Sequence, residues 1–257
     1  MNFSGKVILI TGASSGIGRE LAVHFSKENC SLVLLARRLD LLNDLAEQIK
    51  INNSRIEILK CDVTNTDDVS SAVNEIKNKL GRIDIAILNA GVGHRAGPKE
   101  YNSSSSKNVF DTNILGITHF IENILPDFIE RRDGMIVGVS SLSDSRGWPG
   151  NGFYSASKIA VTRLLESLRI DVKQFNIKVI TVKPGFVKTP MTDKNDFYMP
   201  FLMSTEKAAK KIINGIRKEK RIIQFPLPTV LGSKIVGILP DIIFEHYAAK
   251  WSKKHLS

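Results

Sequence analysis

Tyr154 and Lys158 stand four residues apart in Tyr154-Ser155-Ala156-Ser157-Lys158, and Ser141 lies thirteen residues ahead of the tyrosine. On an α-helix, four residues advance about 6 Å and return to nearly the same face, so phenol and ammonium would project side by side. A phenol titrates near pKa ~10 and is a poor acid–base group at neutral pH; a neighbouring ammonium favours the phenolate and draws that value down. A serine hydroxyl brought in from another element could hold a substrate oxygen beside the phenol. So placed, the three suit proton transfer to or from a carbonyl or alcohol oxygen. Tyr-x-x-x-Lys also arises by chance on surface helices, so the chemistry depends on what the chain builds around it.

Residues 6–11 form an apolar, β-branched run with the character of a buried strand. It feeds into Thr11-Gly12-Ala13-Ser14-Ser15-Gly16-Ile17-Gly18, followed by a helical pattern over residues 19–28. Strand, glycine-rich turn and helix make a phosphate cradle, because glycines permit close backbone approach and the helix N–H groups face an anion. Residues 31–36 are a second buried strand, ending at Arg37-Arg38 with no Asp or Glu between Ser31 and Arg38. At that strand end an acidic residue would bind the free ribose 2′-hydroxyl of NAD, whereas arginine accommodates the 2′-phosphate of NADP, so NADP(H) is favoured over NAD(H).

The alternation continues along the chain. Leu41, Leu42, Leu45 and Ile49 mark a helix, residues 56–59 a strand closing in Cys61-Asp62-Val63, and Val69, Val73, Ile76 and Leu80 another helix. Residues 83–88 form a strand ending in Asn89-Ala90-Gly91, whose small residues permit close approach to a ligand. The serine run 103–106 reads as a helix start, residues 109–129 as one long helix holding Asn113, and residues 134–140 as the fifth strand, with Ser141 at its carboxyl end. A loop over 142–152, a helix over 153–174 and a strand over 177–182 ending in Pro184-Gly185 follow. Strands alternating with helices imply right-handed crossovers and a parallel sheet, and ligands in such sheets bind beyond the carboxyl ends of the strands. The expectation is an α/β, doubly wound parallel sheet of Rossmann type in three layers. One domain over 1–227 carries cofactor site, catalytic residues and flap, and 228–257 is a C-terminal helical extension.

These motifs resemble the short-chain dehydrogenase/reductase family in its form of about 250 residues, from residue 6 to about 191. The resemblance rests on Thr11-Gly12-x-x-x-Gly16-x-Gly18, Asp62, Asn89-Ala90-Gly91, Asn113, Ser141, Tyr154-x-x-x-Lys158 and Pro184-Gly185 taken together. It implies that Tyr154 is the general acid–base, that Ser141 orients the substrate oxygen, and that Lys158 lowers the tyrosine pKa and binds the nicotinamide ribose. Asn113 would hold a water that extends the proton relay. The implied cofactor site runs through Gly12, Ser14, Ser15, Gly16, Ile17 and Gly18 to Arg37 and Arg38. It continues with Asp62 and Val63 at the adenine, Asn89, Ala90 and Gly91 along the cofactor, and Pro184, Gly185, Val187 and Thr189, the threonine at the carboxamide. One departure bears on cofactor choice: many NADP-preferring members carry a basic residue just before the second glycine, where this chain has Ser15.

Composition narrows the class. The 257 residues are 42% hydrophobic and 24% charged, ordinary for a globular protein, and no apolar run approaches the ~20 residues of a membrane span. Cys30 and Cys61 lack C-x-x-C or metal-ligand spacing, so they read as buried thiols of a cytoplasmic protein and no metal site is expected. The charge of +10 concentrates late, residues 205–257 holding eleven Lys/Arg against four Asp/Glu. Without aromatic interleaving or a zinc or RNA-binding signature, nucleic acid is excluded as a partner.

The expected activity is hydride transfer between NADP(H) and a carbonyl or alcohol substrate, in the direction of reducing a fairly apolar ketone or aldehyde, by a homodimer or homotetramer. A redox sensor or scaffold with incidental turnover is the alternative, although a pure binder would not need Tyr154. Substrate choice falls to loops 92–100, 142–153 and 186–204, the last rich in Met and Phe. His94 and Arg95 could touch a substrate, but as lone polar residues on a loop they read as solvent-facing. In the tail, Val230 to Leu239 is an apolar run stopping at Pro240. Beyond it Ile243, Tyr247 and Trp251 recur every four residues opposite Asp241, Glu245, Lys253 and Lys254. Such a helix either packs on the domain or a partner subunit, or lies in an anionic membrane surface as a peripheral contact.

Overall fold

The computed structural model describes residues 1–50 and 55–255. Among these, the apolar runs become the parallel strands β1 (Val7–Thr11), β2 (Ser31–Ala36), β3 (Arg55–Lys60), β4 (Ile85–Leu88), β5 (Gly134–Val139), β6 (Ile177–Pro184) and β7 (Ile222–Phe225). Their spatial order is β3-β2-β1-β4-β5-β6-β7. The order reverses between β1 and β4, which opens a crevice beyond their carboxyl ends where a ligand can enter the sheet.

Strand side chains alternate between two cores, which explains why these strands are apolar throughout. Ile8, Ile10, Leu32, Leu34, Ile85 and Ile87 face one layer, built on α1 (Gly16–Phe25), α2 (Leu39–Ile49) and α7 (Thr205–Arg217). Leu9, Val33, Leu35, Ala86 and Leu88 face the other, built on α3 (Thr66–Leu80), α5 (Gly116–Arg131) and α6 (Gly152–Asp171). Polar caps fix the starts of the exposed helices. Asn65 accepts from the Asp67 and Asp68 N–H groups ahead of α3, and Asn102 accepts from Ser105 N at 2.8 Å, which starts α4 (Ser103–Phe110) at the serine run.

Several boundaries differ from the sequence expectation, each for a local reason. The first helix begins at Gly16, inside the glycine turn rather than after it, and ends at Phe25. The expected single helix over 109–129 is α4, a π-helical turn Asp111–Leu115, and then α5. The π turn is where Asn113 leaves its own helix to bond the backbone of Val92 and Ser157 Oγ. The segment after Ser141 is not wholly irregular, because Ser141 Oγ accepts from Ser143 N at 3.1 Å and starts a 3₁₀ turn, Leu142–Ser145. The tyrosine helix ends at Asp171 and tightens into a 3₁₀ turn that Asn176 closes in the left-handed region, φ 59°.

The C-terminal segment forms α8 (Leu227–Ile238), one residue ahead of the expected boundary, and α9 (Asp241–His255). α8 packs on β7 and on the 3₁₀ turn after Ser141. The expected apolar stripe of α9 is corrected: Ile243 and Tyr247 are exposed, and the inward side is Phe244, Ala248 and Trp251. Lys254 belongs to α9, but its side chain lies outside the described residues.

Candidate active site

The turn after β1 sets the first wall of the crevice. Gly12 adopts φ +67°, a left-handed conformation that disfavours any residue with a Cβ. Gly18 has a different constraint: a Cβ there would meet the Gly12 carbonyl oxygen at 2.4 Å and Asn89 Nδ2 at 2.6 Å. Both are held groups, since Asn89 Nδ2 donates to Thr11 O at 3.0 Å while Thr11 Oγ1 accepts from Asn89 N and Ala90 N, each at 3.0 Å. Gly18→Ala is therefore expected to destabilise the fold by about 1–3 kcal/mol and to weaken nucleotide binding, read by thermal melting and cofactor titration. An unchanged melting temperature with unchanged binding would show that the turn yields.

The N-terminus of α1 is left open toward the crevice. Ser15 stands at the cap position but makes no side-chain cap. Its hydroxyl, with that of Ser14, accepts from Arg38 Nη2, each at 3.0 Å. Arg37 stands beside it, Nη1 lying 3.8 Å from Asp62 Oδ2. Asp62 is ordered by Thr64, whose N–H and hydroxyl donate to its Oδ1 at 3.0 and 2.9 Å, and by Asp68, which accepts from Asp62 N at 2.9 Å. Glycine cradle, uncapped helix, Arg38 on two serine hydroxyls and Arg37 next to it match an elongated polyanion with a phosphate at its far end.

At the other end of the same cleft, about 280 Å³ in volume, stand Ser141, Tyr154 and Lys158. Between the two ends the lining takes in Gly12, Ser14, Ser15, Gly16, Ile17, Arg37, Arg38, Asp62, Val63, Asn89, Ala90, Gly91, Pro184, Gly185, Val187 and Thr189. Gly18 and Asn113 are behind this lining rather than in it. Asn113 is buried, its Oδ1 accepting from Val92 N at 2.8 Å and its Nδ2 donating to Val92 O at 3.0 Å and Ser157 Oγ at 2.9 Å. A Cβ on Gly91 would lie 3.2 Å from Asn113 Oδ1 and 3.4 Å from Lys158 Nζ, so amide and ammonium border the same small residue.

The electrostatics correct one expectation. Lys158 Nζ lies 5.5 Å from the Tyr154 ring centroid and donates to Val139 O at 3.0 Å. Burial raises the Tyr154 pKa above its ordinary value, the hydrogen bond with Ser141 lowers it, and the Asp144 carboxylate raises it again. With nothing bound, desolvation outweighs the expected pull of the lysine. Burial also lowers the Lys158 ammonium, to about 8.

A buried polar chain behind the triad carries no simple sequence signature. Asp144 accepts from Lys183 Nζ at 2.7 Å and from Thr162 Oγ1 at 2.6 Å. Thr162 Oγ1 meets Ser140 Oγ at 2.7 Å, and Ser140 Oγ donates to Lys158 O at 2.8 Å. Ser157 Oγ donates to Tyr154 O at 2.7 Å while receiving Asn113, so a residue inside the Tyr-Ser-Ala-Ser-Lys run links amide and tyrosine.

His94 and Arg95 are not solvent-facing residues as expected. His94 stacks on Phe153 at 6.1 Å, next to the catalytic-candidate tyrosine, and its Nε2 is buried without a hydrogen bond. Arg95 pairs with Asp196 and lies over the rings of Phe197 at 5.2 Å and Trp251 at 5.6 Å. The base of the flap 186–204 is pinned by Met203 N to Phe186 O at 3.0 Å and Lys188 N to Met203 O at 2.9 Å. Within it Phe186 meets Phe197 and Phe197 meets Trp251, whereas Tyr198, Phe201 and Leu202 are exposed.

A family model described as short chain dehydrogenase matches residues 6–197. An uncharacterized oxidoreductase of Myxococcus xanthus is 33% identical over 247 residues, covering 96% of this chain and 98% of that protein. Among solved structures, a short chain dehydrogenase/reductase of Burkholderia phymatum in complex with NAD superposes with a TM-score of 0.84 at 22% identity, over 91% of this chain and 93% of that one. A short-chain dehydrogenase of Sphingobium yanoikuyae in complex with NADPH superposes with a TM-score of 0.80 at 24% identity, over 92% and 97%.

Proposed function

This chain belongs to the short-chain dehydrogenase family and is an oxidoreductase, and from that premise we propose that it uses NADP(H) to reduce a fairly apolar ketone or aldehyde. The observation that carries the reading is a single cleft with Arg37 and Arg38 at one end, Arg38 on the Ser14 and Ser15 hydroxyls, and Ser141, Tyr154 and Lys158 at the other. A bound nicotinamide would supply the hydride. Gly12, Gly16 and the open end of α1 would hold the pyrophosphate, Asp62 and Val63 the adenine, and Asn89, Ala90, Gly91, Pro184, Gly185, Val187 and Thr189 the remainder.

Ser141 holds the substrate oxygen, and Tyr154 gives that oxygen its proton. Burial keeps Tyr154 a neutral phenol at neutral pH, which suits a proton donor and hence the reductive direction. Lys158 stabilises negative charge as the phenol loses its proton, and the neighbouring Asn113 supports a water-mediated return of that proton. The apolar character of the substrate is supported by Phe153, Met191, Phe186 and Phe197 around the flap and its facing loop. Cys30 and Cys61, buried and not joined in a disulfide, support a cytoplasmic setting. Exposed Leu115, Ile159 and Ile170 on α6 and the π turn beside it support assembly with a second copy, which sedimentation velocity would read.

The test is a panel of ketones and aldehydes with NADPH and with NADH, following loss of reduced-nicotinamide absorbance. NADPH is expected to be preferred, and Arg38→Leu to cut kcat/KM for NADPH about 10–100-fold, the worth of one charge-assisted hydrogen bond, while NADH use changes little. Equal kcat/KM for the two cofactors in the wild-type protein would reduce Arg37 and Arg38 to surface charges. Absence of turnover across the panel would return the chain to the class of binding proteins.

A further inference from the structure

We propose that the outer face of α8 and α9 is a docking surface for an anionic lipid membrane. In a globular protein a surface helix turns its apolar stripe inward. Here α8 does the reverse, and α9 turns Phe244, Ala248 and Trp251 inward yet leaves further large apolar residues outside. Along α8, Leu227, Leu231, Ile235 and Ile238 recur at helical spacing on the solvent side, with Ile238 84% exposed. Only Leu239 and Pro240 separate them from α9, where Ile242 is also 84% exposed and Ile243 and Tyr247 follow. The inward positions of α8 are Thr229, Val230, Ser233 and Val236, smaller side chains than the leucines and isoleucines outside, and of these only Val230 is buried. An outward-facing apolar strip of two helices is larger than a monomer ordinarily leaves in water.

The face is held rigidly in that orientation. Arg146 donates to the carbonyls of Val236 and Leu239, pairs with Asp241 at 2.7 Å, and lies over the Phe244 ring at 4.8 Å. Trp148 packs on Phe244 from the same loop, with ring centroids 5.5 Å apart. The corner between the helices is thereby bolted to the segment that follows Ser141. It is not a loose tail that would fold back over its own apolar residues.

Charge selects the occupant. Lys234 on α8, and Lys250 and Lys253 at the end of α9, are exposed on or beside this face. No acidic residue occurs in α8; of the two in α9, Asp241 is engaged by Arg146 and Glu245 lies on the far side of the helix from Ile243 and Tyr247. An apolar centre with a basic margin matches acyl chains beneath anionic headgroups. A second copy of the same face would set like charges together, and the apolar residues on α6 offer a separate surface for that copy. Among the described residues no helix is long and apolar enough to cross a membrane, so the contact is peripheral. Trp251 of α9 touches Phe197 of the flap, whose neighbour Tyr198 is 86% exposed, so docking would bring the flap to the lipid. Delivery of a lipid-borne carbonyl substrate rests on the reductase reading; the docking itself does not.

Vesicle co-sedimentation tests it without substrate. The full chain is incubated with vesicles of phosphatidylcholine, or of phosphatidylcholine mixed with phosphatidylglycerol, at about 50 mM and about 500 mM salt. Binding is expected to the mixed vesicles at low salt, weakened at least about tenfold at high salt or by Lys250→Glu with Lys253→Glu. Ile238→Glu with Ile242→Glu should also weaken it at least about tenfold, while cofactor binding and melting temperature persist, because both side chains are exposed. Three results would overturn the proposal: no sedimentation of the folded chain with either vesicle at low salt, binding indifferent to both double substitutions, or a dimer that Ile238→Glu with Ile242→Glu dissociates in a chain that ignores vesicles.

Discussion

Tyr154→Phe is expected to lower kcat at least about 100-fold while NADPH affinity stays within about threefold. The substitution removes one oxygen and keeps the ring, so the packing of α6 through Val161 and Leu165 survives. What disappears is the hydroxyl that bonds Ser141 and can carry a proton to a substrate oxygen held there. The loss should therefore fall on kcat, with KM for the cofactor nearly unchanged. Stopped-flow reduction with saturating NADPH separates the cases. More than about a tenth of wild-type kcat in the variant, against the usual 10²–10⁴-fold worth of acid–base catalysis, would mean that another group supplies the proton. His94, with its buried and unbonded Nε2 beside Phe153, would then be the next residue to replace.

How much of this was legible depended on the range over which each signal acts. Local signals held: the apolar run 31–36 is β2 to the residue, and Gly12-x-x-x-Gly16-x-Gly18 sits where a strand meets a helix, because backbone sterics fix both. Alternation of strand and helix patterns was enough for a doubly wound parallel sheet, since right-handed crossovers leave few topologies, while the strand order itself comes from the fold. Asn113 shows the limit. The pattern over residues 109–129 is that of one helix, and nothing in it announces the π turn at Asp111–Leu115 or the side-chain bonds of Asn113 to Val92 and Ser157. Asp144 was passed over for the same reason: its partners Lys183 and Thr162 are 39 and 18 positions away, and only folding unites them. The α9 stripe failed differently. Spacing shows which residues share a face but not whether that face meets protein or solvent, and Phe244, one position along, is the residue that turns in.

Lys158→Met is expected to abolish most activity and yet raise the melting temperature of the cofactor-free protein at neutral pH. Burial holds the Lys158 pKa at about 8, below the ordinary 10.5, and among the described residues no carboxylate offsets that cost. Between those two values the unfolded chain binds more protons than the folded one, so the contribution of Lys158 to stability rises with pH across that window. Below about pH 8 its full penalty is present, roughly 3 kcal/mol for a shift of that size. Methionine removes the penalty but strands Val139 O, which loses its 3.0 Å donor, at a cost of about 1–3 kcal/mol. The net gain at pH 7 is then about 1 kcal/mol, or about 2–4 °C for a domain of this size. The difference between variant and wild type should shrink, and then reverse, as the pH is raised from about 8 toward 10.5. Catalysis moves the opposite way. Loss of the ammonium removes the charge that stabilises Tyr154 as it releases its proton, so kcat should fall at least about 100-fold in the variant. In the wild-type protein the same titration should make kcat/KM for reduction decline above about pH 8. Melting curves and pH–rate profiles of the two proteins test both halves. A variant that melts lower at pH 7 and shows no pH dependence of the difference would mean that Lys158 is held comfortably by its surroundings. The tension between stability and activity at this residue would then not exist.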